Sequence, residues 1–386
     1  MVYEVLLSPI IFNICILSIL LLALFFPVKK PGFHNGISVT IVLPTYNDEN
    51  GIVGALNSIE IQKGDFKLDV MIVNDGSTDA TLEVVKKWLS TSRRKYSYRI
   101  FNLKKNSGRK ALAIEAVESK INSDTDVVVI MDGDTVLANN ALTYCLDELY
   151  SSSKMGAVCG MIVPHFELGS VSEFIKRAQY YELVGAFHGV KYAQGNIGSV
   201  NTLAGAFSAH KMEAIKDVGW FGGWLAEDVC WTWKARSKGW RIGFARKAIA
   251  YTDCPDNLNK LWLQRRRWSR GRVEAIKVAF FESKLKFLSV LPWFLYHTMQ
   301  LVSVPLLIIA AFFIPKLAFL VYVIMFSLHW IYAFNNLKVL GTSNRFLSSF
   351  RSAIWSSLIV DVLLSIPNIL GYFDEIFRAP KSWLTR

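Results

Sequence analysis

The sequence contains few cysteines, and none lies in a pattern typical of covalent cross-links or metal centres. The 386 residues include five cysteines, an odd number, which are widely spaced and form no Cys-x-x-Cys pair: Cys15, Cys145, Cys159, Cys230 and Cys254. This argues against a disulfide framework and against a structural zinc site. We expect reduced and mostly buried thiols in a domain that faces the cytosol.

Acidic residues are also outnumbered. Lysine and arginine total 43 against 31 aspartates and glutamates, which gives a formal net charge of +12. A basic balance is typical of proteins that bind nucleic acid, an anionic membrane surface or an anionic small substrate. No zinc-finger spacing or basic-leucine-zipper pattern is present, so we expect no nucleic-acid partner. A membrane and a small anionic substrate are the favoured partners.

Long apolar runs are concentrated at the two ends of the chain. Residues 6–26 are almost unbroken apolar, about the length that spans a bilayer. No basic region precedes this run and no small-x-small site follows it, so a membrane span is favoured over a cleaved signal peptide. Lys29 and Lys30 follow the run, which predicts that the next residues are cytoplasmic.

Three further candidate spans lie in the C-terminal hundred residues, at 287–314, 317–334 and 353–373. Four spans would place a basic C-terminus outside the cell, so one candidate is alternatively an interfacial helix. We therefore predict a transmembrane helix at 1–28, a cytoplasmic domain at 29–285 and a transmembrane region at 286–386. For segment 171–191, the sequence favours two interpretations equally: an amphipathic helix that lies on the membrane, or an ordinary surface helix of the domain.

The middle region reads as an α/β domain. Four short apolar runs at 38–44, 70–74, 98–103 and 127–131 alternate with helical patterns, which predicts a mostly parallel sheet covered by helices. In such sheets ligands bind outside the carboxyl ends of the strands. Four aspartates follow those ends: Asp48, Asp75, Asp132 and Asp134.

The segment Asp132-Gly-Asp134 carries two carboxylates one residue apart, on a turn after a strand. Such a pair can hold Mg²⁺ or Mn²⁺ together with the diphosphate that the metal bridges. The metal would neutralise charge that builds up on a departing nucleotide. Taken alone, most Asp-x-Asp pairs are solvated turn residues, so the interpretation depends on the neighbouring motifs.

Those motifs are suited to a nucleotide. The run Pro44, Thr45, Tyr46 and Asp48 and the loop after Asp75 come in the order that a nucleotide pocket needs, because a carboxylate can accept from a uracil imide and an aromatic ring can stack on the base. Lys110, with Arg109, is a candidate partner for the diphosphate. The alternative for these two cations is a solvated basic turn.

Two later motifs can complete a site. Glu227 and Asp228 precede an apparent helix; one of them can act as a general base, or both simply complement the helix dipole. Just before the first C-terminal span, the stretch Gln264-Arg-Arg-Arg-Trp268 can bind phosphate through arginine and stack tryptophan on a sugar. A plain positive-inside membrane anchor is the alternative.

Taken together, these motifs resemble the family 2 glycosyltransferases of the processive membrane type, which include cellulose, chitin, hyaluronan and poly-N-acetylglucosamine synthases. The resemblance covers residues 40–271 and the flanking spans, and segment 261–274 looks most like the poly-N-acetylglucosamine branch. It implies a GT-A fold and inversion at the anomeric carbon. By resemblance, Asp75 touches the nucleotide, Asp132 and Asp134 the diphosphate and metal, and Asp228 is the base. Gln264, Arg267 and Trp268 close the donor and acceptor site, and Arg265 is counted with the residues that bind the nucleotide sugar.

Some positions depart from the family pattern: Ala226 precedes Glu227 where threonine is usual, Cys230 stands where a second acid is common, and His210 replaces an expected arginine or tyrosine. The function that the resemblance implies is elongation and translocation of a β-linked polysaccharide from a UDP-sugar, with UDP-N-acetylglucosamine favoured. The alternative is transfer of one sugar to a membrane lipid. A third alternative is a catalytically silent scaffold. We expect a multi-pass protein of the cell membrane, with room for a homo-oligomer or an accessory subunit.

Overall fold

The computed structural model describes residues 2–26, 30–165, 173–337 and 362–380. It contains eight strands in one sheet: β1 (Ile37–Thr45), β2 (Phe66–Asn74), β3 (Ser97–Asn102), β4 (Val127–Met131), β5 (Val136–Leu137), β6 (Met155–His165), β7 (Phe207–Lys211) and β8 (Arg241–Asp253). The first four strands match the four apolar runs predicted from the sequence.

The helices precede, cover and follow this sheet. They are α1 (Val2–Leu21), α2 (Ile52–Glu60), α3 (Thr81–Thr91), α4 (Lys110–Glu115), α5 (Ala141–Leu149), α6 (Glu173–Tyr180), α7 (His188–Asn196), α8 (Met212–Val218), α9 (Glu227–Lys238), α10 (Leu258–Glu282), α11 (Leu291–Phe313), α12 (Pro315–Leu337) and α13 (362–376). A π-helical segment, Tyr181–Phe187, joins α6 to α7.

The strand order is β3-β2-β1-β4-β7-β6-β8-β5. Strands β1 to β4 pair in parallel, as do β6 and β8, whereas β7 runs antiparallel to both β4 and β6. All five residues of β4 are buried, because helices cover both faces of the sheet there. The chain builds outward from β1 to β3 and then returns to place β4 on the other side of β1. This reversal leaves a crevice at the carboxyl ends of β1 and β4, where α/β sheets bind ligands.

Three described helices are long and apolar enough to cross a membrane: Val5–Phe25, Leu291–Phe313 and Pro315–Asn336. They agree with the predicted spans at 6–26, 287–314 and 317–334. Of the fourth, 353–373, residues 353–361 lie outside the described residues, as do 27–29, and 362–373 belong to α13. The domain boundaries at 28/29 and 285/286 stay predictions.

The described part of segment 171–191 packs against the rest of the protein, and none of its described side chains is fully exposed. Asn336 Nδ2 of α12 donates to the Val184 carbonyl over 2.7 Å, and Arg246 of β8 donates to Asn335 Oδ1 over 2.9 Å. The backbones of α7 and α12 touch at Gly189, where a Cβ would lie 2.5 Å from the Tyr332 carbonyl oxygen. The segment is therefore sandwiched between the sheet and a membrane-type helix.

Candidate active site

All fourteen residues that the sequence predicted for the site line one cavity of about 1660 Å³. They are Pro44, Thr45, Tyr46, Asp48, Asp75, Lys110, Asp132, Asp134, Glu227, Asp228, Gln264, Arg265, Arg267 and Trp268. The cavity opens where β1, β2 and β4 end side by side, since Thr45 pairs with Asn74 and Val42 with Ile130. Parallel pairing thus gathers loops that are far apart in sequence.

The loop after β1 is closed by Asp48. Its Oδ2 accepts from the Thr45 hydroxyl over 2.9 Å and from the Tyr46 amide over 3.0 Å. Gly133 packs against this loop so closely that a Cβ would lie 2.7 Å from Asp48 Oδ2. The glycine between the two metal-site candidates is therefore required by contact, and the Asp48 carboxylate shapes the pocket by holding Thr45 and Tyr46 in place.

Asp75 lies just beyond the end of β2 and is oriented by Ser107. The Ser107 amide donates to Asp75 Oδ1 and its hydroxyl to Oδ2, both over 2.8 Å. Burial raises the pKa of Asp75, and the two Ser107 hydrogen bonds oppose that rise without cancelling it. Each carboxylate oxygen has two lone pairs, so one per oxygen is left for a further donor such as a base imide.

Lys110 lies at the centre of the acidic cluster. Its ammonium is 2.5 Å from Asp132 Oδ1, 3.7 Å from Glu227 Oε1, and donates to the Gly205 carbonyl over 2.7 Å. Burial lowers the pKa of Lys110, but the carboxylates of Asp132 and Glu227 outweigh burial and leave the pKa above its usual value. The site therefore keeps a fixed positive charge beside Asp132.

Glu227 and Asp228 begin α9 but differ in environment. Burial raises the pKa of Glu227, Lys110 lowers it and Asp228 raises it again, with a net rise. Asp228 is half-buried, and its Oδ1 accepts from the Val229 amide over 2.8 Å. A Cβ on Gly205 would lie 3.2 Å from Glu227 Oε1 and 3.5 Å from Asp228 Oδ2, so both acids face the same glycine. The more accessible Asp228 is better suited to accept a proton from an entering hydroxyl.

The Asp132-Gly-Asp134 turn fits a divalent cation that arrives with a diphosphate. Asp134 Oδ1 accepts from the Thr252 hydroxyl over 3.1 Å, which fixes the carboxylate beside β8. Within the described residues, no group of three or more His, Cys, Asp or Glu side chains could hold a metal by itself. Mg²⁺ and Mn²⁺ are commonly bound by one or two carboxylates plus substrate phosphates, and two carboxylates are what this turn supplies.

Helix α10 forms another wall of the cavity. Arg265 is buried; it donates to Gln264 Oε1 over 2.8 Å, and the ion pair between its Nη2 and Glu182 Oε2 spans 2.5 Å. Its guanidinium carbon lies 4.2 Å from the centre of the Trp268 ring. Arg265 thus supports the tryptophan from beneath, and the stretch is more than a membrane anchor.

Beyond this wall the cavity continues among the membrane-type helices. There it is lined mainly by apolar and aromatic side chains, with Gln300, Ser303 and His329 among them; the apolar and aromatic set includes Leu301, Val304, Leu307, Tyr322 and Phe326. One continuous space therefore joins the acidic cluster at the sheet edge to an apolar region between α11 and α12.

Sequence reasoning missed several groups of the site, and only some had a signal. Ser107 lies three residues before Lys110, inside a motif that the sequence had already singled out. A search of that motif for hydrogen-bond donors to Asp75 would have found it. Glu182 and Thr252 come from distant segments and have no motif of their own. Arg109, predicted as a partner for the diphosphate, lines the cavity and donates to the Gly223 carbonyl; its role toward the diphosphate stays a prediction. Cys230 is buried, with its Sγ 4.0 Å from the Gly271 carbonyl, so it fills a contact between α9 and α10.

Comparisons with known proteins agree with this architecture. The model of the family described as Glycosyl transferase family group 2 matches residues 127–370, and that of Glycosyl transferase family 2 matches residues 40–198. The chain is 29% identical over 259 residues to the poly-beta-1,6-N-acetyl-D-glucosamine synthase of Staphylococcus aureus (strain MSSA476), which covers 66% of this chain and 60% of that protein. For the synthase of the same name from Staphylococcus epidermidis, identity is 27% over 240 residues, covering 62% and 55%.

The chain thus spans about three fifths of the length of these relatives. Among solved structures, the mannosyltransferase PcManGT from Pyrobaculum calidifontis, in complex with GDP-Man and Mn²⁺, aligns with a TM-score of 0.65 at 16% identity and covers 98% of this chain and 100% of that one. At that identity the likeness shows a shared fold.

Proposed function

We propose a function from the premise that this chain belongs to glycosyl transferase family 2: it transfers a sugar from a UDP-sugar to an acceptor, with inversion at the anomeric carbon. One observation carries the proposal. Fourteen residues from separate loops and helices, each suited to a nucleotide, a diphosphate, a metal or an acceptor, line one cavity at the carboxyl edge of the sheet. A random set of polar turns would not converge in this way.

Donor binding is assigned to the sheet edge. Asp75 receives the base imide, and the loop from Pro44 to Tyr46 contacts the nucleoside. Asp132 and Asp134 would hold Mg²⁺ or Mn²⁺ with the diphosphate; the metal, when bound, supplies positive charge against the departing UDP. Lys110, 2.5 Å from Asp132, adds a permanent positive charge to the same region.

Transfer is assigned to Asp228. Its carboxylate takes the proton of an acceptor hydroxyl while that oxygen forms a bond to the anomeric carbon, and the bond from that carbon to the diphosphate oxygen breaks. Attack from the face opposite the leaving group gives inversion. Glu227, paired with Lys110, balances the charge of the site. The place where donor and acceptor meet is enclosed by Gln264, Arg265, Arg267 and Trp268.

The product we propose is a β-linked polysaccharide, with UDP-N-acetylglucosamine as donor, because the curated relatives are poly-beta-1,6-N-acetyl-D-glucosamine synthases. The continuation of the cavity between α11 and α12 offers the polymer a path across the membrane from a cytoplasmic site. The second candidate is transfer of one sugar to a membrane lipid, which the apolar lining of that continuation favours equally well.

The test is UDP release by the purified full chain in detergent, over a panel of UDP-sugars, with and without Mn²⁺ or Mg²⁺. The product is sized on a gel and partitioned into organic solvent. Metal-dependent release with one sugar and a high-mass product supports the polymer synthase. A small lipid-soluble product supports single transfer. Silence across the panel with lipid and oligosaccharide acceptors present would overturn the proposal.

A further inference from the structure

Lys191 is a further buried cation in the cavity, besides Lys110 and Arg265, and the reaction described above does not use it. Its side chain is 1% exposed and lines the cavity. Within the described part of the chain its ammonium makes no hydrogen bond or ion pair, and its contact is the Phe187 ring, whose centre lies 4.6 Å away. A buried ammonium with only an aromatic neighbour is costly unless an anion joins it.

Gln194 lies one turn further along α7 and also faces the cavity. Its Oε1 accepts from the Asn201 amide over 3.2 Å, while its buried Nε2 has no hydrogen-bond partner within the described residues. Positions 191 and 194 lie on one face of a helix. The Lys191 ammonium and the Gln194 amide Nε2 are thus two buried donors on one surface, and neither donates a hydrogen bond within the described residues.

This surface lies on the acceptor side of the cavity. Helix α7 touches the backbone of α12 at Gly189, and Asn201 beside Gln194 is 2.7 Å from His297 of α11. Lys191 and Asp228 line the same cavity, and the helix that carries Lys191 packs against α12. Asp132 and Asp134 contact other groups, Lys110 and Thr252.

The ligand that fits this position has an anionic group next to an apolar body. Helix α11 lines the cavity with three apolar side chains, Leu301, Val304 and Leu307. The polar side chains of His297, Gln300 and Ser303 lie among them. A phosphate matches one charged and one neutral donor, because its oxygens accept charge-assisted hydrogen bonds. A neutral oligosaccharide would not satisfy the ammonium.

We propose that Lys191 and Gln194 form a binding site for the phosphate of a lipid-phosphate acceptor whose apolar chain lies between α11 and α12. This inference rests on the proposed transferase function and names the class of its acceptor. The acceptor hydroxyl or its attached sugar then reaches Asp228, whether one sugar is added or the first of a chain.

The test is binding of a radiolabelled polyprenyl phosphate to the immobilised full chain in detergent, by scintillation proximity, without any donor. Unlabelled polyprenyl phosphate, neutral polyprenol, inorganic phosphate and an N-acetylglucosamine oligomer compete. We expect polyprenyl phosphate to compete at least about tenfold better than polyprenol, the worth of one charge-assisted hydrogen bond. Equal competition by polyprenol or a better result with the neutral oligomer would overturn the proposal; so would inorganic phosphate matching the lipid, which indicates a free-phosphate site.

The variants Lys191→Gln and Lys191→Arg are compared in the same assay. Lys191→Gln should lose the preference for the phosphate, and Lys191→Arg should retain most of it. Lys211→Gln is the matched control, because Lys211 is also buried and lies 5.1 Å from the Tyr150 ring centre, but binds the carbonyls of Ser152 and Ser153 away from the cavity.

Unchanged binding by a folded Lys191→Gln would overturn the assignment. If Lys191→Gln does not fold, the competition series with the unaltered chain still decides. The binding assay contains no UDP-sugar, so its outcome is independent of the UDP-release assay. Phosphate-selective binding without UDP release would overturn the proposed transferase function and support this site. UDP release without phosphate-selective binding would support the transferase and overturn this site.

Discussion

At the scale of single residues, two adjacent acids have different tasks. Asp228 is half-buried and faces the cavity, whereas Glu227 is buried beside Lys110. We expect Asp228→Asn to lower kcat by about 10² to 10⁴-fold, the usual contribution of a general base, because the amide cannot take the acceptor proton. Donor affinity, measured by titration with UDP, should stay within about twofold, since no donor contact is removed.

The control for that variant is Glu213→Gln, an exposed acid of α8, which should leave both quantities unchanged. If UDP affinity of Asp228→Asn fell as steeply as kcat, Asp228 would be a donor ligand and the base would have to be sought elsewhere.

Lys110 makes the stability of the site depend on pH. In Lys110→Met the cation that lowers the pKa of Glu227 is gone, so burial and Asp228 raise that pKa further. A buried acid with a raised pKa binds its proton more tightly in the folded state, so stability is greatest below its unfolded pKa and falls as pH rises through the folded one. We expect Lys110→Met to cost on the order of 2 kcal/mol at pH 8 and less at pH 5.

The measurement is the melting temperature of both proteins between pH 5 and pH 8. Lys105→Met, an exposed lysine in the same loop, is the control and should follow the unaltered protein at every pH. A Lys110→Met deficit that stays constant or shrinks as pH rises would show that Glu227 does not carry the effect.

At the scale of elements, α10 is held in place by ion pairs with α13. Arg266 binds Asp374 through two parallel contacts, Nε to Oδ2 at 2.6 Å and Nη2 to Oδ1 at 2.7 Å. Arg270, one turn further along α10, binds Glu375 through a single contact, with Nε 3.0 Å from Oε2. These contacts set the angle at which α10 presents Gln264 and Trp268 to the cavity.

A double-mutant cycle with Arg266→Gln and Asp374→Asn should give a coupling energy of about 1 kcal/mol in thermal or chemical unfolding. The value is modest because both side chains are partly exposed, and bidentate geometry places it at the upper end for such pairs. UDP release should fall in each single variant, because α10 carries site residues.

A second cycle, with Asp256→Asn and Lys260→Gln, is the matched comparison, since this pair lies 3.0 Å apart at the exposed start of α10. A coupling energy near zero for Arg266 and Asp374, equal to that of the exposed pair, would argue that α13 does not position the helix.

At the scale of the whole molecule, the two parts of the chain are joined by close backbone contact. A Cβ at Gly189 would lie 2.5 Å from the Tyr332 carbonyl oxygen, so Gly189→Ala must push α7 and α12 apart. We expect a loss of about 1–3 kcal/mol, typical of overpacking, and a fall in transfer. UDP binding at the far edge of the sheet should be retained, which titration would check.

Gly54→Ala in α2 provides the comparison, because its Cβ would lie 3.3 Å from Cγ2 of the exposed Val136 and meets no backbone atom, and because alanine favours a helix. Similar melting temperatures for the two variants would mean that the α7–α12 contact contributes nothing to stability.

Local sequence patterns determine much of this architecture. The four buried runs, the three apolar helices and the acids that follow the strands depend on hydrophobic period and span length, which each segment carries by itself. Even the convergence of Asp75 and Asp132 follows from the rule that parallel strands end at one edge. The family resemblance then supplied the roles of Asp228 and Trp268, which local pattern left open.

Other features were decided only when distant segments packed. Nothing near Arg265 in the sequence indicates Glu182, and nothing near Asp75 indicates Ser107, which follows 32 residues later. Each of these hydrogen bonds needs two side chains that only the folded chain brings together. The placement of β7 between β4 and β6 depends on competing pairings of the whole sheet. Lys191 looked like one cation of an amphipathic helix; tertiary packing against the sheet and α12 buried it, and burial is what turned an ordinary lysine into a candidate binding group.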